Sequence, residues 1–460
     1  MSGFAWTDAA VRQALGLREG LAQGDLAYEG IGTDSRTVAR GELYVALVGE
    51  RFDGHDFVSD ALARGARGAV ISRPVAAEGS VPLYRVTDTL VGLGALAAHR
   101  RAVLRVPVVG ITGSAGKTTT KDFTRGALAG SLRVHATRGN LNNRIGMPLT
   151  LLRTPADAEA VVLEMGTNEP GEIAALARIA RPDVGVVVTV GEAHLEKLGS
   201  VDGVLREKLD LLRHLGDGGR GVVGDEPAFL PAAAREACRT LRVVGWSERA
   251  DPDLRPVGAE PYALGAYRFL WRGHPVTLAV PGRHAVLDAL LALVVAELLN
   301  VPAQAAAQGV AAVEAASMRG ETRRVGDLTV TVDCYNANPP SVRAALDLLN
   351  ARGGARKVVV LGSMLELGPA SPALHEQVLR HALALGIDLV VAIGAFAEAA
   401  AGLQDERLVV SSDWKGAYPE LRRRLAGDEM VLLKASRGVA LEGILPVLEA
   451  DFGAAVVEGA

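Results

Sequence analysis

The feature that most limits the possible folds is a repeated succession of an apolar strand, a loop and a helix. In the middle of the chain the strand-like runs are RVPVVGIT, AEAVVLEMG and PDVGVVVTVG. The pattern returns near the end in LTVTVDCYNANPP, RKVVVLGSMLELG, DLVVAIG and EMVLLKASRG. Continuous apolar strands that alternate with helices are typical of mainly parallel sheets covered on both faces. The sequence therefore predicts an α/β fold.

The length of 460 residues favours about three domains. Residues 1–103 hold short β-like runs and one helical stretch, FVSDALARGARGAVISR, and predict a small α/β domain. Residues 104–313 contain the first set of strands and end in a helix-rich run, and they predict a central domain with a mainly parallel sheet. Residues 314–460 repeat the strand-then-loop pattern and predict a second, smaller α/β domain of Rossmann type.

Composition and charge exclude several classes of protein. The net charge of −4 gives no sign of a basic surface for nucleic acid. The longest apolar run, ALLALVVAELL, is interrupted by Glu297 and is too short to cross a bilayer. Cys238 and Cys334 have no metal-ligand spacing and are interpreted as buried thiols in a reducing compartment. With no secretion signal at its start, the chain is expected to be cytoplasmic, without nucleic-acid binding or membrane insertion.

The glycine-rich stretch GITGSAGKTTTKD, residues 110–122, follows a strand and precedes a helix. In that context backbone N–H groups and a helix N-terminus can surround phosphate. Lys117 would reach the terminal phosphates of a nucleotide, and the Thr118 hydroxyl would face Mg²⁺. The alternative, a glycine-rich turn before an ordinary helix, is less compatible with G-K-T-T-T. The spacing nevertheless departs from the common G-x-x-x-x-G-K-[ST], because Ile111 stands where the first glycine belongs.

Three further residues are candidates for metal or phosphate chemistry. Glu164 ends an apolar strand and His194 follows the next one, where parallel sheets place their ligands. Taken alone, Glu164 could be a solvated strand-end carboxylate and His194 a structural histidine. Lys208 lies in the helical stretch GVLREKLDLL and by itself is interpreted as a solvated lysine.

The order and spacing of several motifs resemble the Mur ligases, which are ATP-dependent enzymes that add amino acids to the UDP-linked muramoyl precursor of peptidoglycan. The motifs are GSAGKTTTKD, TRGNLNNRIGMPLTLL, LEMGTNEPGEI, AHLEKLGS, PGRH, DCYNANPPSVRAAL, LELG and LLKASRG, and they span nearly the whole chain. That family's loop is G-x-x-G-K-[ST], which residues 113–118 match. Within the family, DCYNANPPS and GNLNN resemble the members that add D-alanyl-D-alanine, and TDSR with DGHDF resembles the UDP-binding domain of the later-acting members.

The resemblance implies that ATP phosphorylates the terminal carboxylate of UDP-N-acetylmuramoyl-tripeptide and that the amine of D-Ala-D-Ala attacks the acyl phosphate. Domain 1–103 would bind the UDP substrate, domain 104–313 would bind ATP, and domain 314–460 would bind the dipeptide and close over the site of a monomeric enzyme. The residues implied as catalytic are Lys117, His194 and Lys208. Magnesium would be held by Thr118, Glu164, His194 and a carbamylated Lys208.

The resemblance also implies a set of binding residues. Nucleotide contacts fall on Gly113, Ser114, Ala115, Gly116, Lys117, Thr118, Thr119 and Asn336. Substrate contacts fall on Thr33, Asp34, Ser35, Arg36, Asn140, Asn142, Asn143, Asn338, Lys434 and Arg437. The chain departs from the family pattern at Thr189, Ser363 and Ala435, and Ala285 and Asp288 replace two asparagines of the stretch beside the adenine.

Other functions remain open from the sequence. One is the ligase that adds the third residue of the same precursor, although its typical Y-A-H-T-P-D-S is absent here. Another is a P-loop protein that binds nucleotide without ligating anything. A third is the folylpolyglutamate synthetase group, which shares the central domain but lacks the TDSR and DGHDF unit. The sequence does not distinguish diaminopimelate, lysine or ornithine as the third residue of the substrate.

Overall fold

The computed structural model describes residues 4–18, 26–76, 81–262, 265–453 and 455–457. Its strands form mostly parallel sheets flanked by helices, which confirms the α/β fold class. Cys238 and Cys334 are buried free thiols, as predicted. Among the described residues, no helix combines the length and the apolar character needed to span a bilayer.

The N-terminal part is built around a small parallel sheet with the strand order β3-β4-β5-β6, beside the antiparallel ribbon β1-β2. Its elements are β1 (Trp6–Thr7), α1 (Asp8–Ala14), β2 (Ala27–Tyr28), β3 (Ile31–Gly32), β4 (Leu43–Val45), α2 (Val58–Ala63), β5 (Gly68–Ile71), β6 (Leu83–Arg85) and α3 (Thr89–Val103).

The prediction of one helix in this part is wrong, because α1 and α3 accompany α2. Helix α3 was not predicted because it is buried on several sides and so lacks the one-sided apolar pattern of a surface helix. It carries two glycines, Gly92 and Gly94, and packs against α1 and against helices of the central part. A helix that is enclosed by neighbours loses the one-sided apolar stripe by which surface helices are recognised.

The central part contains a sheet with the strand order β12-β11-β10-β7-β9-β8, and all of its pairings are parallel. Its elements up to the sheet edge are β7 (Val108–Thr112), α4 (Lys117–Ala129), β8 (Val134–Ala136), α5 (Gly146–Leu152), β9 (Ala160–Glu164), α6 (Glu172–Ala180), β10 (Val184–Val187), α7 (Leu195–Leu198), α8 (Val201–Arg213), β11 (Arg220–Gly224), α9 (Leu230–Ala237) and β12 (Leu241–Val244). Strand β7 lies between β9 and β10, so the loops after these three strands are neighbours at one edge.

Beyond β12 the chain adds an antiparallel meander, which the sequence pattern did not indicate, and then two helices. These elements are β13 (Val257–Pro261), β14 (Tyr267–Trp271), β15 (His274–Thr277), α10 (Arg283–Leu298) and α11 (Ala303–Ala311). The residues of β13 are largely exposed, which removes the apolar signal. Helix α10 is buried along most of its length and packs against α4, the helix that follows the glycine-rich loop.

The C-terminal part has a sheet with the order β20-β19-β18-β21-β17-β16-β22, parallel from β20 to β17 and antiparallel at β16 and β22. Its elements are β16 (Glu321–Val325), β17 (Leu328–Asp333), α12 (Pro339–Ala351), β18 (Lys357–Leu361), α13 (Ser371–Ala384), β19 (Leu389–Ile393), α14 (Ala395–Ala399), β20 (Leu408–Ser411), α15 (Trp414–Arg424), β21 (Met430–Lys434), α16 (Leu445–Phe452) and β22 (Ala455–Val457). The apolar pattern identifies β17, β18, β19 and β21, while the partly exposed β16 and β20 were not predicted.

Candidate functional site

The glycine-rich loop joins the end of β7 to the start of α4. Gly116 has a φ of +78°, and a Cβ atom at this position would lie 2.6 Å from the Asp288 Oδ1 atom, so both conformation and space require glycine. The Ser114 Oγ atom accepts a hydrogen bond from the Gly191 N–H at 3.0 Å, which ties the loop to the one after β10. No side chain caps the N-terminus of α4. The first N–H groups of this helix are therefore available to an anion.

Lys117 begins α4 and is half-buried. Its Nζ atom donates a hydrogen bond to the Gly113 carbonyl at 2.6 Å. Burial lowers the pKa of Lys117, and the nearby Arg319 lowers it further, whereas Glu164 and Glu366 oppose the shift. The ammonium group thus folds back over the loop, where it faces charged residues from both the central and the C-terminal parts.

Glu164 ends β9 and is buried, so the interpretation as a solvated strand-end carboxylate is wrong. Its Oε2 atom accepts a hydrogen bond from the Thr118 hydroxyl at 2.9 Å, and its Oε1 atom accepts one from the Asn142 amide at 2.8 Å. The main-chain N–H of Glu164 donates to the Thr137 hydroxyl at 3.0 Å. The carboxylate is thereby fixed beside the first turn of α4, next to the hydroxyl that was predicted to face magnesium.

His194 immediately precedes α7 and meets a residue of the C-terminal part. Its Nδ1 atom lies 2.6 Å from the Glu366 Oε2 atom, and the Glu196 N–H donates to the Glu366 carbonyl at 3.1 Å. Both His194 (φ 54°) and Glu366 (φ 65°) adopt the left-handed conformation, which is uncommon outside glycine. Burial lowers the pKa of His194, while the nearby Glu366 carboxylate opposes that shift. A carboxylate this close favours the tautomer with the proton on Nδ1, which would leave the Nε2 lone pair available.

Lys208 lies on α8 and is completely buried, with 0% of its surface exposed, so the interpretation as a solvated helix lysine is wrong. Its Nζ atom has no hydrogen-bond partner among the residues that the structure describes. Burial lowers the pKa of Lys208 well below its usual range, and the positive charge of Lys117 acts in the same direction. A buried amine without a partner is stable only in its neutral form.

The neighbouring Glu207 does not pair with Lys208. Its Oε2 atom accepts a hydrogen bond from the Gly171 N–H at 2.6 Å, and its Oε1 atom accepts one from the Ile173 N–H at 2.7 Å. This carboxylate therefore holds the start of α6, where it satisfies donors of the first helical turn.

The C-terminal part contacts the glycine-rich loop directly. Asn338 caps α12 by accepting a hydrogen bond from the Ser341 N–H at 3.0 Å, and its amide nitrogen donates to the Ser114 carbonyl at 3.1 Å. A weaker pair joins Arg343 to Glu192 at 3.4 Å. The segment DCYNANPPS, which was singled out in the sequence, thus lies against the loop that follows β7.

Other predicted residues have local roles in the structure. Asn143 accepts a hydrogen bond from the Gly146 N–H at 2.8 Å and so holds the start of α5. Lys434 donates to the Asn336 carbonyl at 2.6 Å, and Arg437 lies 2.8 Å from Glu442. Ala115 and Thr119 belong to the loop and to the first turn of α4, and Asn140 accepts a main-chain hydrogen bond from Asn142 at 2.8 Å.

The predicted substrate residues of the N-terminal part form a separate group. Asp34 and Arg36 are joined by an ion pair of 2.8 Å, which lowers the pKa of Asp34 to about 2. The other two members of the group are Thr33 and Ser35. Among the described residues, no hydrogen bond or ion pair joins residues 33–36, Asn336, Lys434 or Arg437 to the glycine-rich loop.

Three residues of the site were not predicted. Glu366 lies in LELG, which had been noted as a motif without a residue being chosen. The Arg319 guanidinium stacks on the Tyr335 ring at 3.8 Å and acts on Lys117, but nothing in SMRGETRRV separates it from neighbouring arginines. Asp288 was noted as a departure from the family pattern, and its contact with Gly116 depends on the packing of α10 on α4.

The same part of the chain supplies few ready-made metal ligands. Within the described ranges, no group of three or more histidine, cysteine, aspartate and glutamate side chains is placed to hold a metal ion. Glu164 and His194 are therefore candidate metal ligands that do not form a ready-made cluster, and Lys208 would join them only after modification of its amine. Any metal there would need oxygen ligands from outside these side chains.

Comparisons with known proteins cover almost the whole chain. Family models match residues 27–110 (Mur ligase family, catalytic domain), 111–296 (Mur ligase middle domain) and 318–437 (Mur ligase, glutamate ligase domain). The UDP-N-acetylmuramoyl-tripeptide–D-alanyl-D-alanine ligase of Bacillus subtilis is 35% identical over 433 residues, which cover 90% of this chain and 92% of the relative.

Solved structures agree with these matches. The crystal structure of MurF from Acinetobacter baumannii superposes with a TM-score of 0.88 at 30% identity and covers 98% of this chain and 100% of that one. MurF of Thermotoga maritima, solved in complex with ADP, gives a TM-score of 0.82 at 28% identity and covers 92% of this chain and 97% of that one. The chain belongs to the Mur ligase family.

Proposed function

We propose that this protein joins D-alanyl-D-alanine to UDP-N-acetylmuramoyl-tripeptide at the expense of ATP. The γ-phosphoryl group passes to the terminal carboxylate of the tripeptide and ADP leaves. The dipeptide amine then attacks the carbonyl carbon, loses a proton and expels phosphate as the amide bond forms. The relatives named above catalyse this class of ligation according to their names. The observation that carries the proposal is the Asn338–Ser114 hydrogen bond of 3.1 Å, which sets the segment typical of D-Ala-D-Ala-adding members against the glycine-rich loop.

In this proposal the glycine-rich loop binds the phosphates of ATP. The N–H groups of the loop and the uncapped N-terminus of α4 surround the phosphate oxygens. The Lys117 ammonium group leaves the Gly113 carbonyl and contacts the phosphoryl group that is transferred. Arg319, held by Tyr335, adds a second positive charge near Lys117. The protein thereby supplies chiefly positioning and charge stabilisation, which are the main demands of phosphoryl transfer.

The residues around the loop fit a magnesium site once Lys208 carries a carbamate. Thr118, Glu164 and His194 would hold the ion, and Mg²⁺ would neutralise charge on the phosphate oxygens. Carbamylation needs a neutral amine, and the Lys208 Nζ atom is buried, has no partner among the described residues and has a lowered pKa. The carbamate would convert the neutral amine into an anionic group with oxygen ligands, beside a site where few acidic side chains are grouped.

The division of labour among the parts of the chain is also a proposal. Residues 1–103 bind the UDP-substrate, residues 104–313 bind ATP, and residues 314–460 bind the dipeptide and close over the nucleotide. The contacts Asn338–Ser114 and His194–Glu366 support closure, because both join the C-terminal part to the loop region. We propose further that the enzyme acts as a monomer in the cytoplasm.

One assay separates this function from the alternatives. Phosphate release from ATP is measured with UDP-muramoyl-tripeptides that carry diaminopimelate, lysine or ornithine, together with D-Ala-D-Ala, L-Ala-L-Ala or no acceptor. We expect release with a tripeptide and D-Ala-D-Ala, and little with L-Ala-L-Ala, because a site built for one stereochemistry leaves its polar groups unpaired with the other. Release that requires the UDP-muramoyl-dipeptide and a free amino acid would instead show the ligase for the third residue. Absence of turnover with every muramoyl nucleotide would overturn the proposal.

A further inference from the structure

A buried carboxyl group lies directly against the phosphate loop. Asp288 is on α10, the helix that packs on α4, and only 2% of its surface is exposed. A Cβ atom on Gly116 would lie 2.6 Å from Asp288 Oδ1 and 3.1 Å from Oδ2, so the carboxyl group touches the last glycine before α4. The mechanism proposed above makes no use of this group.

The surroundings of Asp288 disfavour a negative charge. Neither the Asp288 Oδ2 atom nor the neighbouring Thr120 Oγ1 atom has a hydrogen-bond partner among the residues that the structure describes. A buried carboxylate without a partner is far more costly than the neutral acid. Burial raises the pKa of Asp288 to about 8, and only the neighbouring Thr120 hydroxyl, a potential donor that forms no hydrogen bond among the described residues, acts in the opposite direction.

Charged neighbours do not account for this behaviour. On the elements packed around the carboxyl group, and within the described part of the chain, no ionisable side chain contributes to its pKa. Helix α4 carries Lys117, Lys121, Asp122 and Arg125, helix α10 carries Arg283, His284 and Glu297 besides Asp288, and Asp225 follows β11. The Lys117 and Lys121 ammonium groups donate hydrogen bonds to the Gly113 and Thr137 carbonyl groups, respectively.

The neutral acid has the hydrogen-bonding character of an amide. A protonated carboxyl group presents one acceptor oxygen and one O–H donor, much as asparagine presents an oxygen and an NH₂ group. Asparagine is the residue that the resemblance to the Mur ligases implies at this position. Protonated Asp288 can therefore fill the same space beside Gly116, whereas ionised Asp288 would place a negative charge behind the loop.

We propose that Asp288 is a proton-coupled positioning residue of the phosphate loop, which supports the loop as a neutral acid and opposes phosphate binding when it is ionised. The proposal rests on the nucleotide site proposed above. Since the nucleotide phosphates are negative, their binding favours the protonated form, and at alkaline pH the protein must take up a proton at Asp288 as the nucleotide binds. Nucleotide affinity should consequently fall as the pH rises above neutrality.

The test is calorimetric titration of ADP with Mg²⁺ into the full chain, for the wild type and for Asp288→Asn, at pH 6.5 and pH 9. Each titration is repeated in two buffers of different ionisation enthalpy, which gives the number of protons taken up. Contributions from the nucleotide, from magnesium and from Lys208 are common to both proteins and cancel in the difference. The asparagine variant preserves the shape and neutral hydrogen bonding of the side chain.

We expect the wild type to take up nearly one proton more than Asp288→Asn at pH 9 and no more at pH 6.5. Its dissociation constant should rise about tenfold relative to the variant between these pH values, as linkage predicts for a group that titrates near pH 8. Thr120→Val is a second variant that keeps Asp288. Loss of the hydroxyl raises the pKa of Asp288 further, so the onset of proton uptake should move to higher pH.

Equal proton uptake by the wild type and Asp288→Asn at pH 9 would overturn the role of Asp288 while leaving the nucleotide site intact. If the asparagine variant does not fold, an unshifted onset in Thr120→Val would overturn it as well. Failure of the wild type to bind ADP at any pH would overturn both this inference and the proposed function, so the two failures are distinguishable.

Discussion

Two buried lysines of the same chain differ in their surroundings. Lys434 ends β21 in the C-terminal sheet, where its Nζ atom lies 2.9 Å from Asp333 and donates to the Asn336 carbonyl at 2.6 Å. Lys208 is buried on α8 and has no hydrogen-bond partner among the described residues. The first environment compensates an ammonium ion, and the second selects a neutral amine. Burial of a lysine therefore does not by itself indicate chemistry, whereas burial without a partner does.

The largest expected effect concerns activity at Lys208. Lys208→Ala should lower turnover by about 100-fold or more, because a group that supports the metal is lost. Acetate should restore part of the activity by filling the position of the carbamate. Lys208→Arg introduces a permanent positive charge and cannot form a carbamate, so it should be as inactive as alanine and resist rescue. Near-normal turnover of Lys208→Arg in the phosphate-release assay would contradict a reactive amine.

Substitution of Lys434 should lower the stability of the fold more than substitution of Lys208, which is the reverse of their order for activity. Lys434→Met leaves the partly exposed Asp333 without its cation and should destabilise the protein by about 1–3 kcal/mol, less than the loss of a fully buried ion pair. Lys208→Met removes an amine that has no partner and should leave the melting temperature unchanged or higher. Thermal unfolding followed by circular dichroism measures both. Equal losses of stability in the two variants would contradict the comparison.

Loss of the contact between His194 and Glu366 should lower turnover more than loss of the nearby Arg343–Glu192 ion pair. Glu366→Gln removes the carboxylate that lies 2.6 Å from Nδ1 and should lower turnover by about tenfold, since the ring loses the partner that fixes its tautomer. Arg343→Gln is the matched control, because the Arg343–Glu192 pair of 3.4 Å is partly exposed and contributes less than about 1 kcal/mol. Nitrogen NMR of labelled histidine reports the tautomer independently of activity. An unchanged tautomer in Glu366→Gln would contradict this role.

The pH dependence of stability gives a smaller signal at Asp288. Its pKa is raised to about 8 in the folded protein, so between pH 4 and pH 8 the folded state keeps a proton that the unfolded state has lost. This contribution makes the wild type less stable as the pH rises through that range. Asp288→Asn removes that slope. Its melting temperature should exceed that of the wild type by a margin that grows from pH 5 to pH 8, and a constant margin would contradict the raised pKa.

Much of the fold follows from local sequence pattern. Strands β7, β9 and β10 carry continuous apolar residues and end in polar or glycine-containing loops, so both their existence and their shared edge are predictable. Helix α3 and strand β13 were missed for opposite reasons, since the helix is enclosed by neighbours and the strand is largely exposed. In both cases the alternation of apolar and polar residues that a pattern search needs is weak or absent.

The candidate site was only partly accessible from the sequence. The phosphate loop is a contiguous motif, and its position before α4 could be predicted. Asp288 and Glu366 lie far along the chain. Asp288 meets the loop only through the packing of α10, and Glu366 meets His194 only through the placement of the C-terminal part. Lys208 shows most directly what the sequence could not predict. The pattern of its helix is typical of a solvent-exposed lysine, and only the structure shows that the amine is buried without a partner among the described residues.

The most direct test of the contrast between the two lysines is carbon NMR of the protein equilibrated with ¹³C-labelled bicarbonate at mildly alkaline pH. The spectrum is recorded for the wild type, Lys208→Ala and Lys434→Met, with and without Mg²⁺ and ADP. We predict a carbamate signal in the wild type and in Lys434→Met that is absent from Lys208→Ala. A signal that persists in Lys208→Ala, or no signal in the wild type under any of these conditions, would contradict the account of Lys208 as a neutral, reactive amine.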